Sequence, residues 1–448
     1  MTAPPGHTAR PIPLAPGCLP FLGHAVRLIG KPLAFLDEQR GRGDVVEFRI
    51  GRQPAYILNH PDLVQSLLTG SRRRFDRGEI FAIASPLFGN GVAVANGDHH
   101  RDRRRAVQPL LSHSRLETYL ESMAELAAAR ADGWSDGRRI DLNAEMADVT
   151  MNVVAATVFG QSLPAGFGSV IHHQLPLVVA GLARRAYGPA AVLLDRVPNP
   201  ERTKYRSALT RIHDVVDTLI AANRDTPTMT ALSEGIDERQ LHDDVTSLLI
   251  GGSHTSGAAA SWLFILLSRH PEARRRLHQE VDRVLGGRSA TPADLPALVH
   301  TRRVVQETLR LYPPVWLFPR RAADDLRLDG YPIMRGTQLF YSPYALHRDP
   351  RWYFRPDTFE PDRWDPDRHE QPPRGAYIPF AAGVHGCPGG DFALAELTLL
   401  AATLTAKWNL DLAPGSRPRP VAAATLGPEP VTMTVSRRSR PADSGDGS

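Results

Sequence analysis

Lysine is almost missing from this chain. Only Lys31, Lys204 and Lys407 occur in 448 residues, and the rest of the 53 Lys and Arg are arginine. Such a bias follows a GC-rich genome and points to a bacterial source. Cysteine is scarcer still, with Cys18 and Cys387 alone. Two cysteines exclude a disulfide framework and a Cys-rich zinc module, and their scarcity suits a reducing compartment. No run reaches the ~18 apolar residues of a membrane span. The opening MTAPPGHTARPIPLAPG lacks a basic segment followed by an apolar one, so it does not read as a secretory signal. These absences lead us to expect a cytoplasmic protein with no transmembrane anchor.

What is present is ordinary for a globular protein: 42% hydrophobic and 23% charged residues. The net charge of +5 raises nucleic-acid binding. However, the arginine clusters at 72–74, 101–105 and 274–276 lie on separate elements among acidic residues. A polyanion binder concentrates its charge, so no nucleic-acid partner is expected. A basic patch facing an acidic protein fits better.

Periodicity predicts a mainly α chain with a minor β portion, in one large helical domain. Residues 44–58 alternate about Gly51-Arg52 and read as a hairpin. Helices are predicted over 114–160 (broken near 133–137), 201–222, 238–270, 294–312 and about 390–408. Short strands are expected between 326 and 341. Residues 1–15 read as a Pro-rich arm, 16–435 as the folded domain, and 436–448 as a disordered polar tail. Between 342 and 390 the chain is rich in Pro, Gly, Arg and Asp with little regular pattern. Long irregular segments are uncommon unless functional, so chemistry is sought there.

Cys387 sits in PFAAGVHGCPGGDFALAE, with glycines at 383, 386, 389 and 390 and a helix starting just beyond. Glycines permit positive φ and close backbone approach. A helix N-terminus favours negative charge and is expected to lower the thiol pKa. One thiolate cannot complete a structural zinc site, but it can be the sole axial ligand of a haem iron. The plain alternative is a buried structural cysteine. Phe380, Gly383, His385, Cys387 and Gly389 form F-x-x-G-x-H-x-C-x-G, which resembles the haem-ligand loop of the cytochrome P-450 family. Ala382 and Asp391 depart from the commoner Gly and Arg without touching the ligand.

Three further segments extend the resemblance over about residues 16–435. Glu307 and Arg310 stand i, i+3 in ETLR; alone such a pair is usually an exposed salt bridge. The resemblance implies a triad with Arg363, in FEPDRW, that fixes the loop bearing the cysteine through bidentate Arg–carboxylate bonds. His347-Arg348-Asp349-Pro350 fits the same pattern. In the 238–270 helix, Gly251-Gly252-Ser253-His254-Thr255-Ser256 places adjacent glycines where each costs about 1 kcal/mol against alanine. The family's equivalent helix crosses the distal haem face. This implies an oxygen groove at Gly251 and Gly252 and an oxygen-activating role for Thr255, which could instead only bond back to its i−4 carbonyl. His254 stands where the family usually has an acid, and either relays protons or merely lines the helix. His100 and Arg104 match the family's propionate-binding helix, although the stretch could be a solvated basic face. Arg320 matches another propionate position, with Arg321 the alternative register, and His385 the last.

The resemblance implies haem b (iron protoporphyrin IX) with Cys387 as axial thiolate. It implies a monooxygenase that inserts one oxygen atom from O2 into a hydrophobic small molecule, with electrons from NAD(P)H through a separate ferredoxin and ferredoxin reductase. Phe81, Ile83, Leu87, Phe88, Val94, Leu177 and Val178 are candidate pocket liners, with 160–195 and Val315-Trp316-Leu317-Phe318. Their apolar character favours a terpene such as a sesquiterpene in secondary metabolism; fatty acids, macrolides and steroids stay open. The rivals are a haem-thiolate peroxygenase, dehydratase or isomerase, and a non-catalytic helical binding protein.

Overall fold

The computed structural model describes residues 11–70, 74–160, 163, 167–187, 200–368 and 371–439. The 44–58 alternation forms β1 (Val45–Ile50) and β2 (Gln53–Leu58), antiparallel with Ile50 opposite Gln53. That register leaves a two-residue turn, and Gly51 takes φ 63° as such a turn demands. With β3 (Phe75–Asp76), β5 (Phe318–Ala322) and β8 (Gln338–Tyr341) it makes a sheet of order β1-β2-β8-β5-β3. A second sheet joins β4 (Arg139–Asp141), β12 (Thr432–Arg437) and β9 (Trp408–Leu412), so the last strand stitches the two halves of the chain. The pairs β6 (Leu326–Leu328) with β7 (Tyr331–Ile333), and β10 (Pro420–Ala422) with β11 (Leu426–Pro428), are separate hairpins.

The helices used below are α1 (Ala25–Gly30), α2 (Pro32–Gln39), α3 (Gly97–Val107), α4 (His113–Asp132), α5 (Leu142–Phe159), α6 (Phe167–Tyr187), α7 (Pro200–Asn223), α8 (Glu238–Arg269), α9 (Pro271–Leu285), α10 (Val299–Leu311) and α11 (Gly390–Lys407). The central one is α8, capped by the Asp237 carboxylate on the Gln240 N–H. Its 32 residues span about 48 Å. Apolar residues lie buried all round it, as in a helix enclosed by the core. Gly257 lets α5 approach: a Cβ there would lie 3.2 Å from the Ala147 Cα. The major core lies between α4, α5, α8, α10 and α11.

Several boundaries differ from expectation. Residues 13–15 are not loose: Glu47 donates to the Pro13 carbonyl and Ala15 to the Glu47 carbonyl, adding a bridge to the β1 edge. Residues 1–10 of the proposed arm and 440–448 of the proposed tail lie outside the described residues. Ser436 and Arg437 belong to β12, and Arg438 bonds Asp282, so order continues past 435. The stretch after Pro414, which reads as polar, holds three strands and buries Val431, Met433 and Val435. The helix expected from 294 starts at Val299, because Pro292 and Pro296 confine the preceding turn to 3₁₀ geometry. Pro271 both ends α8 and serves as the first residue of α9.

Candidate haem-thiolate site

The irregular 342–390 segment is held by side chains instead of a backbone ladder. Arg310 donates to both oxygens of Glu307, at 2.9 and 2.8 Å, deep in the core. The same guanidinium reaches the carbonyls of His347 (2.8 Å), Pro356 (2.5 Å) and Thr358 (3.0 Å). Glu307 also accepts from Arg363 Nε (3.4 Å), the Trp364 indole (3.0 Å) and the Glu360 amide (3.0 Å). Glu307, Arg310 and Arg363 thus meet in one buried cluster that satisfies a loop with little regular structure.

His347 carries the cluster onward, a role the spacing did not reveal. Its Nε2 accepts from the Ile378 amide at 2.9 Å, which leaves Nδ1 to donate to the Arg310 carbonyl at 3.2 Å. Full burial, with Arg310 beside it, holds this imidazole neutral, its pKa pushed down to about 3. Two residues past Ile378, the Phe380 carbonyl accepts from the Cys387 amide at 2.8 Å. Gly383 has φ 68°, and a Cβ there would lie 2.0 Å from the Leu68 carbonyl oxygen; no other residue fits. Gly389 has no such steric reason, but its amide donates to the Cys387 sulfur. Phe380 packs against the start of α11, where a Cβ on Gly390 would touch its ring at 3.4 Å.

Cys387 is enclosed by protein, yet it keeps open surface, so it faces a hollow inside the molecule. Burial pushes the Cys387 thiol up, against the Gly389 amide and Arg104, which pull it down. The expected lowering by the helix start therefore does not win within the protein alone. Arg104 donates to the Gly386 carbonyl (2.6 Å) and to Gln108 (3.1 Å). His100 is buried, its ring centroid 4.3 Å from that of His385. Arg320 is buried on β5, over the Tyr341 ring. Arg321 points outward to Asp76 at 2.7 Å, so Arg320 is the inward one of the two.

A further cation, Arg77, lies in the same place. It is buried, donates to the carbonyls of Ala93 (2.6 Å) and Val92 (3.5 Å), and leaves its Nε unpaired. Burial, then Arg320 and Arg104, lower its pKa to about 9. None of Arg77, Arg104 and Arg320 has a carboxylate partner among the described residues. Two buried cations and a half-buried third without an anion call for one, and the two propionates of a haem meet that need. Phe75-Asp76-Arg77-Gly78 carries no spacing that announces this.

On α8, Gly251 is exposed amid buried neighbours, and a Cβ there would meet nothing within 4 Å. It too faces open space. Gly252 differs: its missing Cβ makes room for Val154 on α5, at 3.0 Å. Thr255 Oγ1 bonds back to the Gly251 carbonyl at 2.8 Å. His254 Nε2 lies 3.1 Å from Thr425 Oγ1, in the turn between β10 and β11. Burial, with His172 nearby, pushes the His254 pKa down to about 4, so it is neutral at pH 7. The candidate liners divide. Leu87 and Val178 pack with Ile250 in a buried cluster, Val94 is buried, and Leu177 is exposed. Phe81 lies under the Arg77 guanidinium. Parts of 160–195 lie outside the described residues.

A cysteine held in a fixed loop, an open glycine on the long central helix, and a group of cations with no acid partner among the described residues suit a haem held by one sulfur. The Cytochrome P450 family profile matches residues 13–435, and the chain belongs to that family. It is a cytochrome P450 monooxygenase, whose cofactor is a haem with a thiolate ligand. It is 38% identical over 431 residues to cyclooctatin synthase of Streptomyces melanosporofaciens, covering 93% of this chain and 94% of that one. It is 35% identical over 425 residues to pentalenene oxygenase of Streptomyces avermitilis, covering 92% and 94%. The crystal structure of the cytochrome P450DA haem domain shares the fold, with a TM-score of 0.82 at 23% identity over 96% of this chain and 98% of that one. No helix among the described residues is long and apolar enough to cross a membrane.

Proposed function

We propose that this enzyme oxygenates a terpene skeleton, using electrons passed from NAD(P)H through a ferredoxin reductase and a ferredoxin. The observation that carries the substrate class is the near full-length similarity to cyclooctatin synthase, a cyclooctat-9-en-7-ol 5-monooxygenase (36% identical) and pentalenene oxygenase, all in Streptomyces. Pentalenene being a sesquiterpene, a sesquiterpene is the first substrate to try.

In this reading Cys387 would hold the haem iron through its sulfur. Its thiol, raised by burial, would release its proton to solvent on coordinating the iron, as coordinated thiols do. The Gly389 amide and Arg104 stabilise the resulting charge. Arg77, Arg104, Arg320, His100 and His385 would hold the propionates. When bound, the haem supplies dioxygen activation, which places one oxygen atom in the substrate and releases the other as water. Gly251 leaves room for dioxygen. The Thr255 hydroxyl, once freed from the Gly251 carbonyl, donates a hydrogen bond into that room. His254, neutral and tied to Thr425, hands protons on without carrying a charge of its own. Arg105, exposed one residue from Arg104, gives an acidic ferredoxin a cation on the cysteine side.

The test is a panel of sesquiterpene and diterpene hydrocarbons and alcohols, fatty acids, macrolides and steroids, scored by substrate-induced spin-state shift. Turnover with ferredoxin and its reductase follows. Shifts and product confined to terpenes support the reading; a response only to another class removes it. Turnover with peroxide alone, and none with the electron-transfer chain, would select a peroxygenase.

A further inference from the structure

We propose that residues 14–31, with Arg52, form a membrane-docking surface that seats the enzyme on an anionic lipid bilayer without spanning it. Among the described residues, more than half of the large hydrophobic side chains that lie exposed fall between Leu14 and Ile29. They are Leu14, Leu19, Phe21 (72% exposed), Leu22, Val26 (53%) and Ile29 (57%). Scattered single apolar side chains on a surface need no explanation, but a contiguous set marks a contact site. On α1, Ala25 and Leu28 turn inward while Val26 and Ile29 turn out. The helix is thus apolar on both sides, where a solvated helix would be polar outside.

The surface is built to hold its shape. Leu19 and Gly23 exchange amide–carbonyl bonds, both 2.9 Å. The buried His24 ring ties the Ala15 carbonyl (3.0 Å) to the Arg49 amide (2.9 Å). Gly23 lies so close to β1 that a Cβ would come within 2.4 Å of the Arg49 carbonyl oxygen. Phe21 is held out on a left-handed backbone, φ 62°, which non-glycine residues seldom adopt. A rigid loop with a protruding aromatic loses little conformational freedom when it enters an interface.

Charge identifies the occupant. The neighbouring carboxylates are already engaged, Glu38 by Arg27 and Glu47 by Arg49. Lys31 and Arg52 have no carboxylate among the described residues, and the Arg52 guanidinium lies 4.7 Å over the Phe21 ring. Unpaired cations beside protruding apolar side chains match anionic headgroups above acyl chains. A second copy fits worse, since a two-fold contact would set these cations against their equals. Beneath the surface, Leu28, Phe48, Leu317 and Phe340 line an apolar gap.

The full-length, haem-loaded protein should float with vesicles of phosphatidylglycerol and phosphatidylethanolamine at low salt. It should float far less with phosphatidylcholine vesicles, or at about 1 M salt, where surface charge is screened. Phe21→Ser with Ile29→Ser should lower the bound fraction about tenfold or more, as should Lys31→Glu with Arg52→Glu. All these side chains are exposed, and an unchanged carbon-monoxide spectrum of the reduced variants verifies folding. Wild-type protein that stays with the supernatant, or variants that float as well as wild type, would overturn the proposal. So would a dimer in sedimentation velocity that the same substitutions abolish without any vesicle binding. Membrane docking stands or falls by flotation alone, whichever substrate the panel selects.

Discussion

At the scale of single residues, the groups around the haem pocket are set more by what they lack than by what they bond. Glu396 on α11 is completely enclosed and neither oxygen has a geometrically sound hydrogen bond, although Ser256 of α8 lies beside it. Burial raises its pKa from 4.5 to about 8. The folded state then holds a proton that the unfolded chain releases from about pH 4.5 upward. The proton linkage of Glu396 therefore costs nothing below pH 4.5, and stability falls progressively as pH rises toward 8. Glu396→Gln should flatten that decline and raise stability most at pH 8–9, by on the order of a few kcal/mol, with the largest gain in melting temperature there. Thermal unfolding at several pH values measures it; a parallel decline in both proteins would rule it out. His254 gives a second test. His254→Ala should lower the yield of product per electron consumed, and Thr425→Val should do so in part, because both break the 3.1 Å contact. Unchanged coupling in His254→Ala would remove this residue from the mechanism. Cys387→Ser should abolish the red-shifted carbon-monoxide band and activity together.

At the scale of elements, the distal and proximal walls are fastened differently. The loop at 89–92 is clamped onto α8: the Asn90 and Val92 amides donate to Asp243 (2.7 Å) and Asp244 (3.1 Å). Arg103 of α3 completes the clamp with a buried bond to Asp244 at 2.7 Å. Gly89 and Gly91 are required, since a Cβ on either would overlap Asp243. Asp244→Ala should cost about 3–5 kcal/mol, because it strands a buried guanidinium. Chemical denaturation would show a loss near 1 kcal/mol instead if the pair is effectively solvated. On the proximal side, His347→Leu keeps the volume but frees the Ile378 amide. It should weaken haem retention while leaving secondary structure intact, measured by haem transfer to an apo-globin.

Which of these features were legible beforehand follows from distance along the chain. The Cys387 loop and the Glu307–Arg310 pair are written in consecutive residues or one helical turn, so pattern alone exposes them. Arg77, which meets Arg104 and Arg320 in space, and Asp244, which meets Arg103 across α3 and α8, involve partners far apart in sequence. His347 looked like part of a motif, but its bond to Ile378 needed the fold. The short strands after Pro414 escape a pattern reading because each is too brief for a clear alternation, and only pairing reveals them, β10 with β11 and β12 with β4 and β9. Thr255 shows the opposite case. Its position pointed to chemistry, while its hydroxyl rests on the i−4 carbonyl, the ordinary habit of a helical threonine.

At the scale of the whole molecule, the late position of β12 has a consequence for biogenesis. This strand, at residues 432–437, closes a sheet begun at Arg139. The cysteine emerges only after both basic anchors near residue 100 and the entire central helix have been made. Until β12 has been made, a nascent chain carries Cys387 and the basic residues near position 100 but no seam to keep the halves together. Cofactor capture should therefore wait for β12 to pair with β4.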